Sequence, residues 1–243
     1  MRAFKTRPQT TKSGIPGLDE VIEGGFPRGS ILSVTGDTGS GKTVFAIEFL
    51  YNGATKYNEP GLYISFDEQK KPMFRNMLKF GWDLAKLEKE KKLLFIEYPP
   101  YEVENFVAQE NVIRDLVNEI GVERLVIDSI IPLALLYETE QKRRQGLLKI
   151  IEKVRQWDCT TFLISESIGE LSIETPHTRF GVECLADGLI FLYNKRKGTG
   201  RARGLEIVKL RGVEHATRIM PMEVTKKGVA LYPKKKFASD QLR

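Results

Sequence analysis

Short apolar runs alternate with amphipathic stretches along most of this chain. Ile31-Leu32-Ser33-Val34, Leu62-Tyr63-Ile64-Ser65-Phe66, Leu93-Leu94-Phe95-Ile96, Leu125-Val126-Ile127 and Thr161-Phe162-Leu163-Ile164 read as buried strands. Between them the pattern turns helical. Thr43 to about Tyr57 is crowded with Val44, Phe45, Ile47, Phe49 and Leu50, and a later stretch carries Met73, Met77, Leu78 and Phe80. A helix from about Glu104 to Ile120 sets Phe106, Val107, Ile113, Leu116, Val117 and Ile120 on one side, and another spans about Glu138 to Trp157. Repeated strand–helix alternation calls for a mostly parallel α/β sheet with helices on both faces. After about Asp187 the rhythm changes. Leu189–Tyr193, Leu205–Leu210, Ile219–Val224 and Val229–Tyr232 are strands without helices between them, and Lys226-Lys227-Gly228 reads as a hairpin turn. The C-terminal strands are therefore expected to extend the parallel core in antiparallel fashion.

The first twelve residues are polar and basic and read as a flexible arm, residues 13–236 as one domain, and residues 237–243 as a tail. There is no internal repeat and no room for a second core. Hydrophobic residues at 41% and charged residues at 29% describe a globular chain. No apolar run approaches the roughly 18–20 residues of a membrane span, so no membrane association is expected. Cys159 and Cys184 sit in apolar surroundings and form no motif. With no signal-peptide core at the start, that points to the reducing cytoplasm. A net charge of +6 is compatible with nucleic-acid binding without requiring it.

The chemistry begins at Gly36-Asp37-Thr38-Gly39-Ser40-Gly41-Lys42-Thr43, which fits the phosphate-loop pattern G-x-x-x-x-G-K-[ST] at every fixed position. A strand precedes it and a helix follows, the order the chemistry requires. Backbone amides from Thr38 to Val44 and the helix N-terminus would cradle phosphate, Lys42 would reach the β- and γ-phosphates, and the Thr43 hydroxyl would join a Mg²⁺ shell. A second strand delivers Asp128, followed by Ser129, at its carboxyl end. This is the Walker B arrangement, with Asp128 holding the metal through its water shell. A third strand ends in Asp67-Glu68. Glu68 is the candidate for orienting the attacking water, with Asp67 in support. The competing reading of that pair is a solvated acidic turn leading into Lys70 and Lys71.

Together these pieces resemble the RecA-superfamily P-loop NTPases, specifically the KaiC-like group with its archaeal RadA-paralogue relatives. The resemblance runs from about Ser13 to Pro233. It includes Ser13-Gly14-Ile15-Pro16-Gly17-Leu18-Asp19, Gly24-Gly25-Phe26-Pro27-Arg28-Gly29, the phosphate loop, Phe49-Leu50-Tyr51-Asn52-Gly53, Phe66-Asp67-Glu68, Phe80-Gly81-Trp82-Asp83, Ile127-Asp128-Ser129, Ile164-Ser165-Glu166 and Lys209-Leu210-Arg211-Gly212 with His215. It implies Mg²⁺-dependent ATP hydrolysis at the interfaces of a homo-oligomer, with a hexamer favoured. Lys209 and Arg211 would then reach a neighbour's γ-phosphate in trans, and Leu210, Val213 and His215 would lie near base or ribose. Asp67 stands where the family usually has a first glutamate, which favours Glu68 for the water. Glu183 and Cys184 stand where the self-phosphorylating domain of the clock protein has adjacent Ser and Thr, so autokinase activity is not expected.

Two roles stay open. One is a DNA-repair accessory ATPase that binds single-stranded DNA and modulates a recombinase. Its candidate contacts are the segment Ile130–Arg144 with Lys142, Arg143 and Arg144, the segment Ser167–Gly181 with His177, Arg179 and Phe180, and the basic run Lys195-Arg196-Lys197 continuing to Arg201 and Arg203. The other is a signalling ATPase whose nucleotide state controls a regulatory protein partner.

Overall fold

The computed structural model describes residues 9–167, 178–197 and 199–237. Its elements in order are β1 (Thr10–Thr11), β2 (Phe26–Pro27), β3 (Ile31–Gly36), α1 (Lys42–Asn52), β4 (Gly61–Ser65), α2 (Lys70–Met77), α3 (Leu84–Lys89), β5 (Leu93–Glu97), α4 (Val103–Ala108), α5 (Glu110–Ile120), β6 (Arg124–Asp128), α6 (Ile131–Leu135), α7 (Glu140–Arg155), β7 (Thr160–Ile164), α8 (Val182–Leu185), β8 (Gly188–Lys197), β9 (Gly200–Leu210), β10 (Met220–Thr225) and β11 (Gly228–Leu231). Nine of the strands form one sheet in the order β11-β10-β9-β8-β3-β7-β6-β4-β5. From β8 to β5 all neighbours are parallel, while β9, β10 and β11 add on in antiparallel succession. The expected class, a parallel core with antiparallel C-terminal strands, is the fold observed.

The strands alternate their burden between two cores. Val34, Tyr63, Val126 and Phe162 face one side with Phe45 and Phe49 of α1, while Ile31, Ile64, Ile127 and Leu163 face the other with α4, α5 and α7. Phe162 stacks on Phe49 at 4.1 Å and on Phe45 at 5.6 Å between centroids, fixing α1 against the centre of the sheet.

The structure adjusts four sequence expectations. The helix expected to reach Tyr57 is α-helical only to Asn52, then widens into a π-helical turn from Gly53 to Tyr57. The fully buried Arg124 lies inside that turn. It donates to the Phe49 carbonyl at 2.7 Å, pairs with Glu59 at 2.5 Å and lies over the Phe49 and Tyr57 rings. A Cβ on Gly53 would meet its side chain at 2.4 Å. The helix expected over Glu104–Ile120 divides at Gln109, whose side chain accepts from the Tyr98 hydroxyl at 2.9 Å. The arm expected through residue 12 is tied down at its end, because Thr10 and Thr11 pair with Pro27 and Phe26 and Thr11 is buried. Finally, the basic run from Lys195 to Arg203 is the extended end of the β8–β9 hairpin, in register from Asn194↔Arg203 to Lys197↔Gly200.

Candidate functional site

The phosphate loop fills the bend between β3 and α1. β3 is buried along its length and delivers Gly36 where a side chain has no room, since a Cβ would lie 2.1 Å from the Leu192 carbonyl oxygen. Gly39 and Gly41 hold φ of 72° and 100°, in the left-handed region that costs other residues about 1 kcal/mol or more. Gly41 caps α1 without a side-chain hydrogen bond, so the first-turn amides stay available to an anion. Ser40 is fully buried, and among the described residues its hydroxyl has no partner. A buried, unpaired hydroxyl within a ring of amides suits a phosphate oxygen. Lys42 folds back over the loop, donating to the carbonyls of Gly36 at 2.9 Å and Asp37 at 3.1 Å. Burial lowers its pKa, and Asp128, Glu166 and Asp37 oppose that shift.

β6 and β4 supply the acidic side. Asp128 ends β6, and one of its oxygens accepts from the Thr43 hydroxyl at 3.2 Å and from the buried Tyr63 hydroxyl at 2.6 Å. Burial raises the Asp128 pKa to about 6. The carboxylates of Asp67 and Glu68 add to the rise, and the two hydroxyl hydrogen bonds oppose it. Asp67 and Glu68 occupy the exposed turn after β4. Ser65 Oγ accepts from the Glu68 amide at 3.0 Å and donates to its carbonyl at 2.7 Å, while Ser129 Oγ donates to Asp67 at 3.0 Å. Among the described residues the Glu68 carboxylate is left outside this network. Desolvation and the adjacent Asp67 raise its pKa. Among the described residues no group of three His, Cys, Asp or Glu is placed to hold a metal ion by itself. The donor set of Thr43 and Asp128 therefore fits a hard cation that takes its remaining oxygens from phosphate and water.

Several supporting contacts carry no local sequence signal. The backbone amide of Asn194 donates to Asp37 and its side chain to the Thr38 carbonyl, both at 2.9 Å. Lys195 pairs with Asp37 at 3.4 Å, and Arg203 Nε donates to the Gly39 carbonyl at 3.2 Å. The β8–β9 hairpin thus braces the back of the loop. The space around Gly41 is bounded by Val224, whose Cγ2 would lie 3.1 Å from an added Cβ.

The other half of the expected site lies elsewhere. Gly36 pairs with Leu192, which pairs with Leu205, whereas Leu32 pairs with Gly188, which pairs with Leu210. Following β9 from Leu205 to Leu210 runs roughly 17 Å toward the opposite end of the parallel strands. There Lys209 Nζ donates to the carbonyls of Glu183 at 3.0 Å and Ala186 at 2.8 Å, and burial and Arg211 lower its pKa. Arg211 has 62% of its side chain exposed and lies 3.7 Å from Asp187, which Arg155 also holds at 2.8 Å. Leu210 is buried, Val213 packs on the core, and the half-buried His215 has Nδ1 3.3 Å from the Ala216 carbonyl. None of these five joins the chain's own phosphate loop.

Of the two segments expected to form basic loops, the first differs from expectation, and most of the second, residues 168–177, lies outside the described residues. Lys142, Arg143 and Arg144 lie on the first turns of α7. Arg143 is engaged there, donating to the carbonyls of Ala134 at 3.0 Å and Tyr137 at 3.1 Å over the Phe180 ring. Arg179 pairs with Glu166 at 3.6 Å, and His177 lies outside the described residues.

A glycine loop between a central parallel strand and its helix, faced by strand-end carboxylates and flanked by antiparallel strands, defines a nucleotide-binding domain of the RecA type. The family description "ATPase: KaiC" matches residues 11–236, and the chain belongs to that family as a single domain. It is 34% identical over 227 residues to the circadian clock oscillator protein KaiC of Synechococcus elongatus, a match covering 90% of this chain and 43% of that protein. It is 33% identical over 239 residues to the UPF0273 protein MJ1359 of Methanocaldococcus jannaschii, covering 92% of this chain and 96% of that one. The crystal structure of the KaiC-like protein PH0186 from Pyrococcus horikoshii is 40% identical with a TM-score of 0.81, covering 92% of this chain and 99% of its own. The chain thus spans less than half of the clock protein and nearly all of the archaeal ones. Among the described residues no helix is long and apolar enough to cross a membrane.

Proposed function

We propose that this protein hydrolyses ATP to ADP and phosphate, with Mg²⁺, at sites shared between neighbouring copies of the chain. One observation carries this reading. Phosphate loop and acids cluster at the carboxyl end of the parallel strands, while Lys209 and Arg211 stand toward the opposite end, beyond reach of their own loop. Residues Thr38 to Val44 would hold the triphosphate by backbone amides, with Lys42 moving from its two carbonyls onto the β- and γ-phosphates. Thr43 and Asp128 would hold Mg²⁺, which supplies charge neutralisation of the phosphates when bound. Glu68 would orient a water in line with the γ-phosphate and accept its proton. Asp67, tied to Ser129, would steady that turn. The exposed Arg211 of a neighbouring copy would neutralise charge developing on the transferred phosphoryl group. Lys209 would assist only by giving up the carbonyls of Glu183 and Ala186. Leu210, Val213 and His215 would accompany Arg211 to the nucleoside end.

The test mixes Arg211→Ala subunits with Lys42→Ala subunits. Each alone is expected to be inactive, and the mixture to recover part of the wild-type rate. No recovery at any ratio, with co-assembly shown by mass, would overturn the shared site.

For its role we favour an accessory ATPase acting with single-stranded nucleic acid over a signalling ATPase directed only at a protein. Arg201, Arg203, Lys235 and Lys236, which have no ion-pair partner among the described residues and line one groove, support this choice. ATP turnover and oligomeric mass indifferent to oligonucleotide would favour the signalling role. Cys159 and Cys184 are not joined by a disulfide, which suits a reducing cytoplasm.

A further inference from the structure

The charge of this protein is segregated. Residues 194–204 and 225–237 hold ten of the 38 lysines and arginines and none of the 32 acids, so the remainder of the chain is net acidic. The fold brings Arg203 of the first segment to the Gly39 carbonyl of the phosphate loop and sets Lys235 and Lys236 of the second in one groove with it. Where β9 and β10 part beyond the Arg203↔Met222 pair, they leave a groove of about 570 Å³. Arg201 and Arg203 reach it from β9 and Lys235 and Lys236 from the segment after β11, with half-buried Phe237 beside them. The one carboxylate in the lining, Glu223, accepts from the Tyr232 hydroxyl at 3.0 Å. Among the described residues none of the four cations has an ion-pair partner. Arg201 donates to the Asn194 carbonyl at 3.1 Å and Lys235 lies over the Tyr232 ring at 4.2 Å.

A second observation points the same way. Arg196 and Arg201 stand directly opposite each other in the β8–β9 hairpin, an arrangement of like charges that destabilises a strand pair. Closely spaced anions would relieve that repulsion. An aromatic ring beside a cationic groove is the composition that binds single-stranded nucleic acid, phosphates on the cations and a base against the ring. Arginine also matches phosphate oxygens in paired hydrogen bonds.

We propose that the groove between β9 and β10 is a single-stranded nucleic-acid site, distinct from the ATP phosphate site and mechanically joined to it. The joint is Arg203, which lines the groove while donating to the Gly39 carbonyl of the phosphate loop. Strand binding in the groove stands without ATP. The coupling rests on the nucleotide reading above, and by linkage each ligand alters the other's affinity.

The experiment is fluorescence anisotropy of a labelled oligothymidylate with the full chain, across a salt series and with or without Mg-ATP. Wild type is expected to bind, with affinity falling steeply as salt rises. Lys235→Ala/Lys236→Ala should bind more weakly and lower the log–log salt slope by about 1.4, the loss of two phosphate contacts. Lys142→Ala/Arg144→Ala, on α7, should leave affinity and slope unchanged. Lys42→Ala should keep strand binding and lose only its response to ATP, which separates failure of the coupling from failure of the site. The proposal is overturned if wild type does not bind the oligonucleotide at low salt, or if the double-lysine variant binds as wild type does. It is equally overturned if polyglutamate competes for the groove where oligothymidylate does not, or if the double-lysine variant alters only ATP affinity, which would give the groove to the nucleoside.

Discussion

Glu48 offers a stability test independent of any activity. It lies on α1, 3% exposed, with its carboxylate accepting from the Val229 amide at 2.6 Å and packed against Gly228 in the β10–β11 turn. Burial raises its pKa from 4.5 to about 7, and the Val229 amide, Lys56 and Asn52 only partly oppose that shift. A folded-state pKa above the unfolded one means the folded protein binds the proton more tightly. The associated stability is fully present below pH 4.5 and is lost as pH rises through about 7. At about 1.4 kcal/mol per pH unit the interval amounts to about 3 kcal/mol, most of it between pH 5 and pH 8. Glu48→Gln keeps an acceptor for Val229 and removes the charge. Its amide nitrogen lacks a matching acceptor, at a cost of about 1–3 kcal/mol that does not depend on pH. The stability of the variant minus that of wild type should therefore rise by about 2–3 kcal/mol from pH 5 to pH 8, read by urea denaturation. In thermal melts of a chain this size that is roughly 4–6 °C. A difference that stays flat with pH, or moves the other way, would refute the reasoning.

Two further predictions concern the reacting groups. Glu68→Gln should slow phosphate release by about a hundredfold or more with ATP binding unchanged, and Asp67→Asn should cost less. An equal loss for both would place the water on Asp67. Because burial holds the Asp128 pKa at about 6, protonation should compete with the metal below that pH. The magnesium concentration for half-maximal ATP turnover should then climb from pH 7.5 to pH 5.5. A constant requirement would remove Asp128 from the metal site.

What was legible in the sequence follows from how local each signal is. The phosphate loop is eight consecutive residues whose glycines answer to backbone geometry, and Asp128 is the end of an apolar run. Both were readable without the fold. The brace was not. Asn194 reaches Asp37 across 157 residues and Arg203 reaches Gly39 across 164; in the sequence Arg203 is one member of a basic run and Asn194 falls between that run and the strand before it. Tyr63 looked like one more apolar strand position until β4 was set beside β6, where its hydroxyl meets Asp128. The break at Gln109 escaped the helical pattern because the apolar spacing continues across it. It is the Tyr98 hydroxyl, a tertiary contact, that holds Gln109 there.

The separation of Arg211 from Gly36 bears on how copies of the chain would assemble. A two-fold dimer would need the phosphate loop and Arg211 within one self-complementary patch. On the shared-site proposal, with the two at opposite ends of the strands, the contact would instead be head-to-tail and would close as a ring or continue as a filament. On the shared-site proposal ATP lies in that contact and binds the assembled form best, so nucleotide should strengthen assembly by mass action. Arg211 suits this part because its side chain is mostly exposed and its ion-pair partner among the described residues, Asp187, is shared with Arg155. Lys209, held by two carbonyls at the C-terminal end of α8, is placed to position the strand that carries Arg211. Lys209→Ala should then loosen that strand and weaken assembly, whereas Arg211→Ala should leave assembly intact and remove turnover.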